Sequence, residues 1–363
     1  MIQNIKNSQM KSNSKFSFNK ILFSLVLSLF LTQVNAQEPH LKNIQQLTFG
    51  GDNAEAYFSF DGKLLTMQSN NKKWGLECDQ IFSVDINKAA GDSSYMPNLL
   101  STGKGRTTCS YFLKDNKHIL YASTHQGGDA CPHVTEMPGQ YLWSIYDTYD
   151  IYVSDLKGLI VKQLTNTPGY DAEATVSPQG DKIVFTSTRG GDLDLWTMNI
   201  DGSDQKQVTF GLGYDGGAFF SPDGKKLVFR ASRPLSEKDV TEYKELLSKG
   251  LVAPANMEIY TCNVDGSDLK QVTKLGKANW APFYHPSGEK IIFSSNHHSQ
   301  KGYDFQLYMI NADGSGGLET ISSNSIFNAF PMFSPDGKKL VFSSNRNNSG
   351  TRDTNVFIAD WVD

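Results

Sequence analysis

The sequence has no hydrophobic run long enough to cross a bilayer. Its longest, Ile21 to Leu31, covers about eleven apolar or Ser residues, against roughly 20 for a spanning helix. It has no basic surplus either: 34 Lys and Arg stand against 38 Asp and Glu, a net charge of −4. That balance argues against a nucleic-acid partner. Gly (31) and Pro (13) are too few for a collagen-like or low-complexity chain, and 12% aromatic against 20% charged residues is too apolar for disorder. No Gly-x-Ser-x-Gly elbow and no His-Glu-x-x-His occurs.

What is present starts with a leader. Residues 1–37 carry four lysines (Lys6, Lys11, Lys15, Lys20) and no acid, then the short apolar run, then Val34-Asn35-Ala36. A basic segment, a short apolar segment and a small-residue end predict a secretory signal peptide over 1–36, cut after Ala36. Loss of its four lysines leaves 30 basic against 38 acidic residues, net −8. The product is expected to be periplasmic or secreted, without a membrane span, in a compartment that permits disulfides.

The rest of the chain repeats. Ser-Pro-Asp-Gly occurs in full at 221–224 and 334–337, with weaker copies at Ser177-Pro178-Gln179-Gly180, His285-Pro286-Ser287-Gly288 and Ser59-Phe60-Asp61-Gly62; the weakest is Leu113-Lys114-Asp115-Asn116. Each precedes an apolar strand such as Leu227-Val228-Phe229, so each reads as a tight turn between two strands. An aromatic strand, Asp-Gly-Ser and a Gln-Leu/Val-Thr strand follow, as in Leu195 to Thr209 and Ile259 to Thr273. The turn glycines or their equivalents stand at 62, 116, 180, 224, 288 and 337. Four short strands per repeat at that spacing predict an all-β, six-bladed β-propeller over residues 37–363. The last repeat lacks its Gln-Leu-Thr strand, while an orphan Gln46-Leu47-Thr48 precedes the first. The N-terminal strand is therefore expected to complete the last blade and close the ring, removing a free edge.

These repeats resemble the propeller of the TolB-like family, with its WD40-like PD40 repeats, over nearly all of the mature chain. TolB proper carries an α/β domain before its propeller. Only about ten residues separate Ala36 from the first strand here, so that domain is expected to be missing and the family's role in the Tol–Pal envelope machine is not carried over.

With strands a to d counted outward from the axis, both tight turns fall on one face. The b–c and d–a connections fall on the other, where the insertions collect: about 123–148 in blade 2, 232–255 in blade 4, 297–303 in blade 5 and 345–353 in blade 6. Ser236 to Leu247 reads as a short amphipathic helix. Long loops on a rigid scaffold favour binding. The segments leading into strand a should surround the channel mouth, and Tyr170, Asp171, Glu173, Tyr214, Asp215, Arg106, Trp280 and Asn328 are the predicted ligand-binding residues. Gly-Tyr-Asp recurs at 169–171 and 213–215, setting two phenols and two carboxylates side by side.

Four histidines lie in insertions: His125, His133, His297 and His298. Their spacing matches no zinc pattern, so they are weak candidates for a divalent cation and no cofactor is expected. Oligogalacturonate lyases, propellers with related repeats, hold a metal through histidines but have seven blades. Cys262 is expected as a buried thiol; one bridge is expected among Cys78, Cys109 and Cys131, with Cys109–Cys131 favoured. The function predicted is that of a non-catalytic module binding an envelope protein or a glycan at the loop-rich mouth. The rival is a metal-assisted carbohydrate lyase or hydrolase using the same mouth.

Overall fold

We describe residues 38–363 of a computed structural model; the leader expected over 1–36 lies outside the described residues. Six four-stranded antiparallel sheets are present. Blade 1 comprises Asp52–Phe58, Leu64–Asn70, Gln80–Asp85 and Asn98–Leu99. Blade 2 comprises Thr107–Phe112, His118–Ser123, Asp150–Asp155 and Ile160–Gln163. Blade 3 comprises Asp171–Val176, Lys182–Ser187, Asp194–Asn199 and Lys206–Gln207. Blade 4 comprises Asp215–Phe220, Lys226–Ser232, Met257–Asn263 and Lys270–Gln271. Blade 5 comprises Asn279–Tyr284, Lys290–Ser295, Gln306–Asn311 and Glu319–Thr320.

Blade 6 takes its inner three strands, Asn328–Phe333, Lys339–Ser344 and Asn355–Trp361, from the C-terminus. Its outer strand is the N-terminal Leu41–Gln46, with Leu41 opposite Trp361 and Gln46 opposite Phe357. Each strand a packs against the next, and that of blade 6 against that of blade 1. The ring is closed as expected.

Two side-chain devices make the repeats. In the a–b turn, Ser221 Oγ donates to Asp223 Oδ1 (2.6 Å); Asp223 then accepts the Lys225 N–H and Ser221 Oγ the Lys226 N–H. Ser334 and Asp336 repeat these bonds. Gly224, at φ +71°, supplies the left-handed residue of the turn. The Thr of Gln-Val-Thr is the second device. Thr209 Oγ1 accepts the Leu195 N–H at 2.9 Å and donates to Asp194, tying the chain after strand d back to strand c. Thr165 and Thr273 do the same in blades 2 and 4, Ser101 and Ser322 in blades 1 and 5. In blade 6 the hydroxyl is that of Thr48, bonded to Val356 and Asn355. The orphan triplet thus does in blade 6 what the other five do in theirs.

The main core runs between blades through Phe58, Leu120, Phe185, Val228, Phe293 and Val341. A second apolar cluster, containing Tyr170, Tyr214, Met257, Trp280 and Phe305, lies under the loops of the insertion-rich face.

Candidate functional site

The residues leading into strand a are engaged by other side chains of the chain, in blades 3, 4 and 6 by an arginine of the same blade. Four positions past the central strand-b residue of each blade stands an arginine, histidine or asparagine: Asn71, His125, Arg189, Arg233, His297 and Arg346. Arg189 pairs with buried Asp171 at 2.5 Å and stacks over Phe185 and Trp196. Arg233 takes Asp215 with both of its terminal nitrogens and lies over Tyr260. In blade 6 the strand-a residue is the neutral Asn328; Arg346 bonds it at 3.0 Å and takes its counter-charge from Glu38, at 3.1 Å. Burial would raise the Glu38 carboxyl, but Arg346 and the Ser323 and Asn324 N–H groups outweigh it and hold the carboxyl below its usual range. Asp171 and Asp215, predicted as ligand-binding carboxylates, therefore already hold arginines of their own chain.

Closer to the axis, one residue near the start of every strand a is left-handed, the fourth in blade 1 and the third in the others: Glu55, Cys109, Glu173, Gly217, Ala281 and Phe330 have φ between +43° and +59°. Each marks a register shift against strand b. The bulge turns these six residues onto a small axial chamber. Arg230, from strand b of blade 4, reaches in as well, because a Cβ on Gly217 would stand 1.9 Å from its Nη1. Arg230 pairs with Glu173, Tyr214 bonds both (2.7 Å each), and Thr186 and the Gly217 N–H complete the Glu173 shell at 2.9 Å. Glu55 lies beside the Cys109 thiol, while its Oε2 is cut off from solvent without a partner among the described residues. Burial, reinforced by Glu173, pushes the Glu55 carboxyl up to about 7. Burial likewise holds the Cys109 thiol well above its usual range, the opposite of an activated nucleophile.

A cap covers this chamber on the loop-rich face. Trp143–Ser144, from the blade 2 insertion, pairs with Leu251–Val252 from the blade 4 insertion. Trp143 lies 5.1 Å over the Arg230 guanidinium and packs on Tyr214 and Trp280. The expected helix is present as Glu237–Ser248, N-capped by Ser236, with Leu246 buried and Tyr243 bonded to Asp192. Tyr170, Tyr214 and Trp280 are buried beneath these elements.

The bridge holding the blade 2 insertion is Cys78–Cys131, not Cys109–Cys131. The left-handed bulge turns Cys109 to the axis, away from the loop. Cys78, just before strand c of blade 1, stands on the loop-rich face, where the Gly105 N–H also bonds the Asp129 carbonyl at 2.9 Å. Arg106 pairs with Asp79 at the same junction. Cys262 is the buried free thiol expected.

Several openings lie around the capped axis, among them a space of about 540 Å³ lined by His133, Tyr146, Asp147, Tyr170 and Thr188. On the loop-rich face, a cleft of about 690 Å³ lies between the blade 2 insertion and blades 5 and 6. Its floor is Trp280 stacked on Phe305 at 4.3 Å, with Phe327 against Phe305. Its walls carry Tyr141 and Tyr303, 69% and 55% exposed, together with Gln140, Glu242 and Lys301. Contrary to a face of bare turns, the tight-turn side has a smaller apolar funnel, lined by Phe60, Tyr111, Phe219, Phe283, Met332 and turn prolines.

Residues 143–251 match the family described as PD40, TolB beta propeller domain. A protein of Agrobacterium tumefaciens assigned as TolB superposes with a TM-score of 0.53 at 21% identity, over 86% of this chain and 91% of that one. TolB from Acinetobacter baumannii gives 0.52 at 18% identity, over 86% of this chain and 64% of that one. The fold is that of the TolB-like PD40 propellers. An oligogalacturonate lyase in complex with manganese aligns less well, with a TM-score of 0.45 at 13% identity over 88% of this chain and 90% of that one. No curated protein matched the chain significantly.

The histidines of this TolB-like propeller take a structural position. His125 and His297 occupy the arginine site of blades 2 and 5, bonded to Ser123 and Ser295 and packed on Tyr152 and Tyr308. Burial lowers both imidazoles below their usual range. His298 bonds Tyr308 at 2.9 Å, and the His133 carbonyl accepts from Tyr146. Among the described residues no three His, Cys, Asp or Glu side chains converge as a metal donor set. The recurring Arg or His four positions past the central strand-b residue was the available signal for these pairings. Arg230 was signalled by the Gly216-Gly217 pair facing it.

Proposed function

We propose that this chain is an exported TolB-like binding module that holds its ligand in the aromatic cleft between the blade 2 insertion and blades 5 and 6. The observation carrying this reading is the placement of Tyr141 and Tyr303: both stay largely exposed on the walls of one cleft whose floor is packed aromatic side chains. Exposed aromatics gathered in a concavity mark binding surfaces. The cap favours the cleft over the axial mouth, since Trp143 and the ion pairs below it leave Asp171, Glu173 and Asp215 with internal partners. The cleft is favoured over the funnel because its walls include polar side chains that can orient a ligand, while the funnel lining is almost entirely apolar. Export is supported by the leader-like N-terminus and by the Cys78–Cys131 bridge, which suits an oxidising compartment. Among the described residues no helix is long and apolar enough to cross a membrane.

The test is capture from envelope extract with purified protein. Tyr141→Ala with Tyr303→Ala should fold and melt like the parent yet lose the captured ligand. Retention by that double variant, with loss in Phe60→Ala on the tight-turn face, would move the site to the funnel.

A further inference from the structure

The cleft also carries information about what fills it. We propose that its ligand is a neutral glycan, bound with pyranose faces against the tyrosines; the proposal rests on the cleft being the binding site. Of the three strongly exposed aromatic side chains among the described residues, Tyr141, Phe210 and Tyr303, two line this one cleft. They come from separate insertions, in blades 2 and 5. A sugar ring presents an apolar C–H face edged by hydroxyls, and it needs both an aromatic surface and nearby polar groups able to donate and accept.

The cleft provides both. Its amide, carboxylate and ammonium groups come from Gln140, Glu242 and Lys301, whose side chains make no hydrogen bond or ion pair among the described residues. The amide both donates and accepts, the carboxylate accepts and the ammonium donates, a mixed set suited to hydroxyl groups. One positive and one negative side chain leave the cleft without a net charge of its own. The mature chain around it is acidic, with 38 acidic against 30 basic residues, and disfavours a polyanion such as a uronate oligomer. Trp280 beneath the tyrosines, with ring centroids 6.4 Å from Tyr141, provides a built-in reporter.

The experiment titrates purified mature protein with cellotetraose, maltotetraose, chitotetraose and, as the anionic probe, tetragalacturonate, read by tryptophan fluorescence and calorimetry. At least one neutral oligosaccharide should bind, with tetragalacturonate weaker. Tyr141→Ala and Tyr303→Ala should each weaken binding by about threefold to tenfold without changing the melting temperature. Failure of all three neutral sugars, tighter binding of the uronate, or neutral-sugar binding indifferent to both tyrosines overturns the proposal. Envelope capture with the same variants separates the two levels. A captured protein lost on tyrosine substitution, with no sugar bound, sinks the glycan and keeps the cleft. Sugar binding and capture that both ignore the tyrosines sink both.

Discussion

Glu55 is the acid whose environment differs most from its neighbours'. Glu173, across the same chamber, has Arg230, Tyr214, Thr186 and a backbone N–H. Glu55 has one thiol and an orphaned oxygen, so burial favours its neutral form and holds its proton to about pH 7. In the unfolded chain the same carboxyl loses its proton near 4.5. Below that pH both states are protonated and the native state keeps the full benefit. Between 4.5 and about 7 only the unfolded state ionises, so stability falls as pH rises. Asp194, raised to about 7, and Asp150, raised to about 6, both chiefly by burial, act with the same sign. Glu55→Gln should therefore show a smaller loss of melting temperature from pH 5 to pH 8 than the parent, as followed by circular dichroism. Parallel curves for the two proteins would mean that Glu55 is ionised throughout.

At the scale of strands and loops, the cap is held by one covalent tie and a two-residue ribbon. Cys78→Ser removes a bridge across a separation of 53 residues, for which chain-entropy reasoning gives about 4 kcal/mol. Denaturant unfolding should show a loss of that order, and non-reduced peptide mapping of the parent should find Cys109 and Cys262 as the free thiols. The blades were legible in the sequence because Ser-Pro-Asp-Gly and Gln-Val-Thr each close a turn with their own side chains, so the chemistry repeats wherever the geometry does. The disulfide was not legible, because the bulge that turns Cys109 inward falls on Glu, Cys, Glu, Gly, Ala and Phe in the six blades, residues with no shared chemistry. Nor could spacing show that Trp143 crosses from blade 2 to lie over Arg230 of blade 4. Tyr141 and Tyr303 went unselected for a related reason: a concavity assembled from two insertions has no sequence period.

For the whole molecule, the ring is held shut at blade 6 by a strand pairing, the Thr48 bonds and the Glu38–Arg346 ion pair. Deleting residues 38–50 removes all three and opens the edge of Asn355–Trp361. Calorimetry should show a melting temperature lower by about ten degrees or more, accompanied by aggregation through the freed edge; unchanged melting would contradict closure at this seam. The same seam sets a timetable for synthesis. Leu41 leaves the ribosome long before Trp361, the residue it pairs with, and must wait for it. Five blades can assemble as they emerge, but the sixth cannot, so the newborn chain carries the strand Leu41–Gln46 unpaired until Asn355–Trp361 has emerged. A chaperone that holds that strand, or a fusion that buries it, would decide whether the last blade ever forms.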